Sequence, residues 1–168
     1  YRLRDDWKLR EISFKEWKSI SAVKNTDFLQ AISLLVTYNN QLEAKKSGVP
    51  DNDLPGVSCK RKDILKLSVQ DYKLWVDRVE RGFIQVAKFL YNQHIFSSSD
   101  LPYQTQIVPL ASFYAWMNKD SYPDYVNNKL AQWYWCGVLG ELYGSAVESR
   151  FARDLPELID WISGKSRP

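Results

Sequence analysis

Apolar residues along this chain recur at three- and four-residue steps with no sustained period-two alternation, so it reads as helices joined by turns rather than as strands. The clearest stripe is Phe28, Leu29, Ile32, Leu35, Val36 and Leu42. Asn25 or Thr26 precedes it as a cap, and Lys45, Lys46 and Gly48 suit its C-terminus. Ser68 to Asp71 opens another helix, whose stripe runs from Tyr72 through Trp75, Val79, Phe83 and Val86 to Leu90. From Tyr125, the positions of Val126, Leu130, Trp133, Val138 and Leu142, with Trp135 and Leu139 beside them, predict a third long helix buried on a broad face. This tryptophan helix is expected to be central and to form the core pair with the helix that Ser68 opens. Gly137, Gly140 and Gly144 each cost about 1 kcal/mol of helix propensity relative to alanine, which predicts a neighbour packed closely on the bare backbone.

Between these segments the pattern is more broken. Residues 1–20 interleave charge with Leu3, Trp7, Leu9, Ile12, Phe14 and Trp17, and Ser13 to Glu16 has capping-box spacing, so two short helices are expected. Residues 47–58 hold two prolines and two glycines and predict an exposed, mobile loop. Pro102 and Pro109 predict an irregular start and a helix from Thr105 or Gln106 with Pro109 in its first turn. Gly144 reads as the glycine that ends the tryptophan helix, and Ser145 to Glu148 as a capping box. Val147 and Phe151 then form the apolar face of a helix on which Arg150 and Asp154, four apart, pair at the surface. Asp154 is placed to cap a last helix, with Pro156 in its first turn and Gly164 as its stop. Together these segments predict an all-α fold: a single irregular bundle of roughly six to eight helices, with residues 1–168 as one domain.

Composition narrows the function classes. The chain has 168 residues, 45% of them hydrophobic, a length at which one core buries roughly 70% of the unfolded surface. Seven tryptophans and ten tyrosines are first of all core filling. A net charge of +3 and an isoelectric point near 8.8 fall short of a concentrated nucleic-acid footprint. Cys59 and Cys136 have no CxxC partner, which argues against a disulfide framework or zinc site and fits a reducing cytoplasm. No run of about 18 apolar residues occurs, so no membrane partner is expected. The start at Tyr1 and the Ser-Arg-Pro ending suggest a fragment excised from a longer multidomain protein.

Candidate chemistry is sparse. There is no Gly-rich phosphate loop ending in Lys-Ser/Thr, no HExxH and no paired cysteines, and His94 is the only histidine. No catalytic residue and no metal ligand is therefore assigned, and no cofactor is expected in this fragment. Lys60, Arg61 and Lys62 could neutralise phosphates, or form a solvated edge at the foot of a helix. Gln104 and Gln106, beside Tyr103, could read a nucleobase or satisfy a buried helix end. Tyr143, Glu148, Arg150 and Arg153 surround the glycine-rich turn and make up a candidate functional cluster, the place to seek activity were the chain an independent enzyme.

Four stretches carry a resemblance: the opening YRLRDDWKLRE, VSCKRKDILKL from Val57, LPYQTQIVPLASF from Leu101, and KLAQWYWCGVLGELYGSAVESRFARDLPELIDWI from Lys129. Along its whole length the chain resembles the helical portion of GmrSD-type proteins, modification-dependent (type IV) restriction endonucleases of bacteria and archaea. The tryptophan-aromatic-tryptophan helix, with the tyrosine turn and Arg/Asp helix after it, is the most specific part. The resemblance implies an N-terminal ParB-like domain with an Asp-Gly-Gln-Gln-Arg motif that handles nucleotide and DNA, and in many members a His-Asn-His-type nuclease domain. Neither motif exists in this chain, so no catalytic residue carries over. What is implied is a noncatalytic helical domain in a restriction and anti-phage defence protein. Its partners would be the adjacent ParB-like and nuclease domains and DNA, with nucleotide and a divalent metal used by the longer protein. The alternative is a protein–protein interaction module with no DNA contact. Oligomeric state stays open.

Overall fold

Ser68 Oγ accepts from the backbone N–H of Asp71 at 3.0 Å, and the Asp71 carboxylate accepts from the Ser68 N–H at 3.0 Å. This reciprocal cap opens α4 (Val69–Asn92) where the spacing predicts it. The computed structural model describes residues 3–165. Among them α4 is accompanied by α1 (Leu3–Lys15), α2 (Asn25–Lys46), α3 (Arg61–Ile64), α5 (Ile107–Met117), α6 (Asp124–Leu139) and α7 (Val147–Ile162), with short 3-10 turns and no strand. The fold is all-α, an irregular bundle as expected.

Its centre differs from the expectation. Every residue of α5 from Ile107 to Ala115 is buried, and α4, α2 and α7 all pack against it. Helix α4 lies so close to α5 that a Cβ on Gly82 would stand 2.4 Å from the Ala111 carbonyl oxygen and 3.3 Å from Ala115 N. Only a residue without a side chain allows two backbones to meet at this distance. The core pair is thus α4 with α5. The tryptophan helix α6 is peripheral, burying one face through Val126, Leu130, Tyr134 and Gly137, while Leu139 is 82% exposed.

Aromatic rings fill the spaces around this pair. Phe83 of α4 meets Phe14 of α1 at 5.5 Å and Phe28 of α2 at 6.1 Å between ring centroids. At the α4–α5 seam Trp75 stacks on Trp116 at 5.8 Å, and Tyr38 meets the same Trp116 edge-on at 4.7 Å. Helix α1 is tied to α4 by Arg10, which donates to Asp6 on its own helix at 2.8 Å, to Asp77 at 2.9 Å, and to Glu80.

Several predicted ends move. Residues 1–20 do hold two helical pieces, α1 and a 3-10 turn at Lys18–Ile20, but Ser13 lies inside α1 with its hydroxyl 2.9 Å from the Arg10 carbonyl and 2.8 Å from Glu80, so it does not cap the second. Asn25 and Thr26 both lie within α2, where Asp27 accepts from the Lys24 N–H at 2.8 Å. The 47–58 loop is anchored to α2: the Ser58 carbonyl accepts from Ser33 at 3.0 Å and Thr37 at 3.1 Å, and Gln41 donates to the Pro55 carbonyl at 2.9 Å. His94 takes a left-handed φ of 60° as α4 ends, and the next N–H, of Ile95, donates back to the Leu90 carbonyl at 2.9 Å.

The largest change falls after α6. Gly140 caps that helix and Glu141, not Gly144, makes the left-handed turn with φ 53°. Ala146, also left-handed at φ 52°, precedes α7, and no side chain caps it, so the expected capping box from Ser145 is absent. Helix α7 then passes through Asp154 and Pro156 as one element where two were expected. An interior proline costs about 3 kcal/mol. Burial of Phe151, Leu155, Leu158, Ile159 and Ile162 on this single amphipathic helix offsets it.

Candidate functional site

The turn between α6 and α7 delivers one side chain to the interior. Between the left-handed Glu141 and Ala146, Tyr143 is buried while its neighbours stay exposed. Its ring lies against Gly137, where a Cβ would stand 2.9 Å from Tyr143 Cε2 and 2.6 Å from Gln106 Nε2. Gly137 therefore makes room for two side chains rather than for a neighbouring helix backbone. The Tyr143 hydroxyl donates to Asp154 Oδ2, and Arg150 Nε donates to the same Oδ2 at 3.0 Å and stands 2.8 Å from Oδ1 in an ion pair. The Arg150–Asp154 pair forms at the predicted spacing, but its carboxylate is only 1% exposed, so the pair is not a surface one. Burial raises the Asp154 carboxyl above its ordinary range, and the Tyr143 and Arg150 hydrogen bonds hold the shift back. Tyr143 is raised as well, by burial first and then by the adjacent Asp154.

Over this floor a cleft of about 700 Å³ lies between α6 and α7, within the size range of ligand and peptide pockets. Trp133 and Cys136 of α6, Leu142 of the turn, and Pro156 and Trp161 of α7 line it, together with Arg150, Arg153, Glu157 and Asp160. Lys129 Nζ stands 5.3 Å over the Trp161 ring and donates to the Trp161 carbonyl at 3.0 Å, which fixes that wall.

Tyr143, Arg150 and Arg153 of the predicted cluster thus share one cleft. Glu148 does not join them. It lines a second groove of about 690 Å³ formed by α2, the 47–58 loop, α3 and α7, along with Lys60, Lys62 and Lys66. Arg61 is exposed but is not among the residues lining that groove. The basic side chains there have acidic company in Asp63, Asp71 and Glu148. Under the groove Cys59 is fully buried with its sulfur 3.9 Å from the Glu148 carbonyl oxygen, and burial, then Glu148 and Asp63, push its thiol up to about 12. Gln106 is wholly buried and donates to the Tyr134 carbonyl at 2.9 Å, so its amide serves the seam between α5 and α6 and does not face solvent. Gln104 is half-buried, with its Nε2 unbonded among the described residues. No group of three or more His, Cys, Asp or Glu able to hold a metal is found among the described residues.

Fold and site together define an all-α domain carrying an aromatic, mixed-charge cleft between its last two helices. No family model matches the chain, and no solved structure matches it. The chain is similar to uncharacterized protein MJ0686 of Methanocaldococcus jannaschii, at 26% identity over an alignment of 121 positions that covers 67% of this chain. It spans only 20% of the length of that protein. No helix among the described residues is long and apolar enough to cross a membrane.

Proposed function

We propose that this chain is a noncatalytic helical domain of a GmrSD-like restriction protein in anti-phage defence, supporting a ParB-like domain that processes nucleotide and DNA in the cytoplasm. The observation that carries the noncatalytic reading is the closure of Asp154. Both of its oxygens are engaged by Arg150 and Tyr143, so the carboxyl that burial could tune for acid–base work is already bonded within the fold. Nucleotide, divalent metal and cleavage then belong to the neighbouring ParB-like and nuclease domains. DNA contact falls to the exposed Lys60, Arg61 and Lys62. A second reading, an interaction module without DNA contact, is favoured by Asp63, Asp71 and Glu148, which share the groove of Lys60 and Lys62 and repel phosphate.

The test compares the longer protein with this domain on modified and unmodified DNA, with nucleotide and magnesium, at two salt concentrations. Cleavage by the longer protein alone is expected, and turnover by the isolated domain would sink the reading. Replacing Lys60, Arg61 and Lys62 by glutamine should flatten the salt dependence of DNA binding, by about 0.9 in slope for each phosphate that is no longer neutralised. An unchanged slope assigns the domain to protein contact only.

A further inference from the structure

We infer that the α6–α7 cleft is a docking groove for an amphipathic helix of a partner polypeptide, with acidic side chains on the flank that meets Arg150 and Arg153 and basic ones where it meets Glu157 and Asp160. This does not depend on the restriction reading.

The groove has the anatomy of a helix-in-groove site. Trp133, Leu142, Pro156 and Trp161 offer apolar surface, and the α7 wall that lines the groove, from Arg150 to Trp161, is about 17 Å long, enough for roughly three turns of a partner. Charge then selects the occupant. Arg150, Arg153, Glu157 and Asp160 all line the cleft and follow one another at three- and four-residue steps, so they form one edge of α7 about 15 Å long, positive in its first half and negative in its second.

These charges are available to a partner. Arg150 engages Asp154 through Nε, and its side chain keeps 21% of its surface exposed where it lines the cleft. Arg153 and Glu157 pair at 3.4 Å with both side chains more than half exposed, an arrangement that contributes little and exchanges readily. Nucleic acid would be repelled by Glu157 and Asp160, and an anionic membrane surface likewise. A helix carrying both signs is complementary to the whole edge.

Cys136 reports occupancy directly, because it is exposed and lines the cleft, whereas Cys59 is buried and inert to labelling in the folded state. The probes are three synthetic helical peptides of about 14 residues with one shared leucine and tryptophan stripe, and flanks that are acid-then-base, all acidic or all basic. The acid-then-base peptide is expected to slow maleimide labelling of Cys136 about tenfold where the others slow it less than about twofold. Leu142→Glu should abolish that protection. Arg153→Glu, at an exposed position, should weaken it even where Leu142→Glu disturbs the turn. Equal protection by a single-sign peptide, or none by the mixed one, overturns the proposal. Protection that grows with protein concentration in the absence of peptide gives the groove to a second copy and overturns it too.

Discussion

A methyl group on Gly82 would collide with the Ala111 carbonyl 2.4 Å away, and no flexible side chain is there to yield. Gly82→Ala should therefore cost about 3 kcal/mol or more by forcing α4 and α5 apart. Gly56 has no atom within 4 Å of its would-be Cβ. Gly56→Ala should leave stability unchanged or raise it by up to about 1 kcal/mol. Urea unfolding of the two variants beside the parent checks both, and equal effects would mean the close approach is absent. Asp154 makes a pH-dependent prediction. Its carboxyl is raised in the folded state, so the folded chain holds that proton more tightly than the unfolded one. The stability it contributes is complete below about 4, the ordinary unfolded value, and is lost as pH rises through the folded value. Asp154→Asn does not titrate, so its stability relative to the parent should improve as pH rises above about 4. A difference that stays constant across that range would show that the buried acid does not titrate as its burial requires. Part of this site is legible in the sequence. Four-residue spacing pairs Arg150 with Asp154, but nothing in it shows that Tyr143 bonds the same carboxylate or that Glu148 faces the other groove, since both follow from the left-handed residues Glu141 and Ala146.

At the scale of elements, helices with one apolar face are legible and helices buried on all sides are not. Helix α4 alternates faces at helical period and carries a full cap, so its start and stripe are readable. Helix α5 is apolar all round and gives no periodicity by which to rank it, while the tryptophans of α6 draw attention to a helix that buries a single side. Caps show the same limit. Ser68 and Ser145 stand in equivalent local patterns, yet only Ser68 accepts from a first-turn N–H, because Ala146 takes the left-handed conformation where Ser145 would have had to cap. Ser68→Ala should lower stability by about 1 kcal/mol and Ser145→Ala by almost nothing. Comparable losses in thermal unfolding would restore the capping box that the structure removes. Pro156 adds a third case: alone it reads as the first turn of a helix, and only the continuous face from Phe151 to Ile162 shows that the helix has already begun.

On the scale of the whole molecule, the bundle divides by how far its partners are separated along the chain. Helices α4 and α5 follow each other and meet at Gly82 and Ala111. Packing of α1 on α4 through Phe14 and Phe83, and of α7 against the segment before α3 through Cys59 and Glu148, joins distant residues, the latter 89 positions apart. Contacts of short loop closure cost least entropy to form first. The Gly82–Ala111 approach therefore has a meaning in time. Its short closure predicts a place in the folding nucleus, so Gly82→Ala should slow refolding in a stopped-flow chevron with little effect on the unfolding arm, while Asp154→Asn should act mainly on the unfolding arm. The reverse pattern would mean that the chain assembles from its outer helices inward, with its tightest seam closing last.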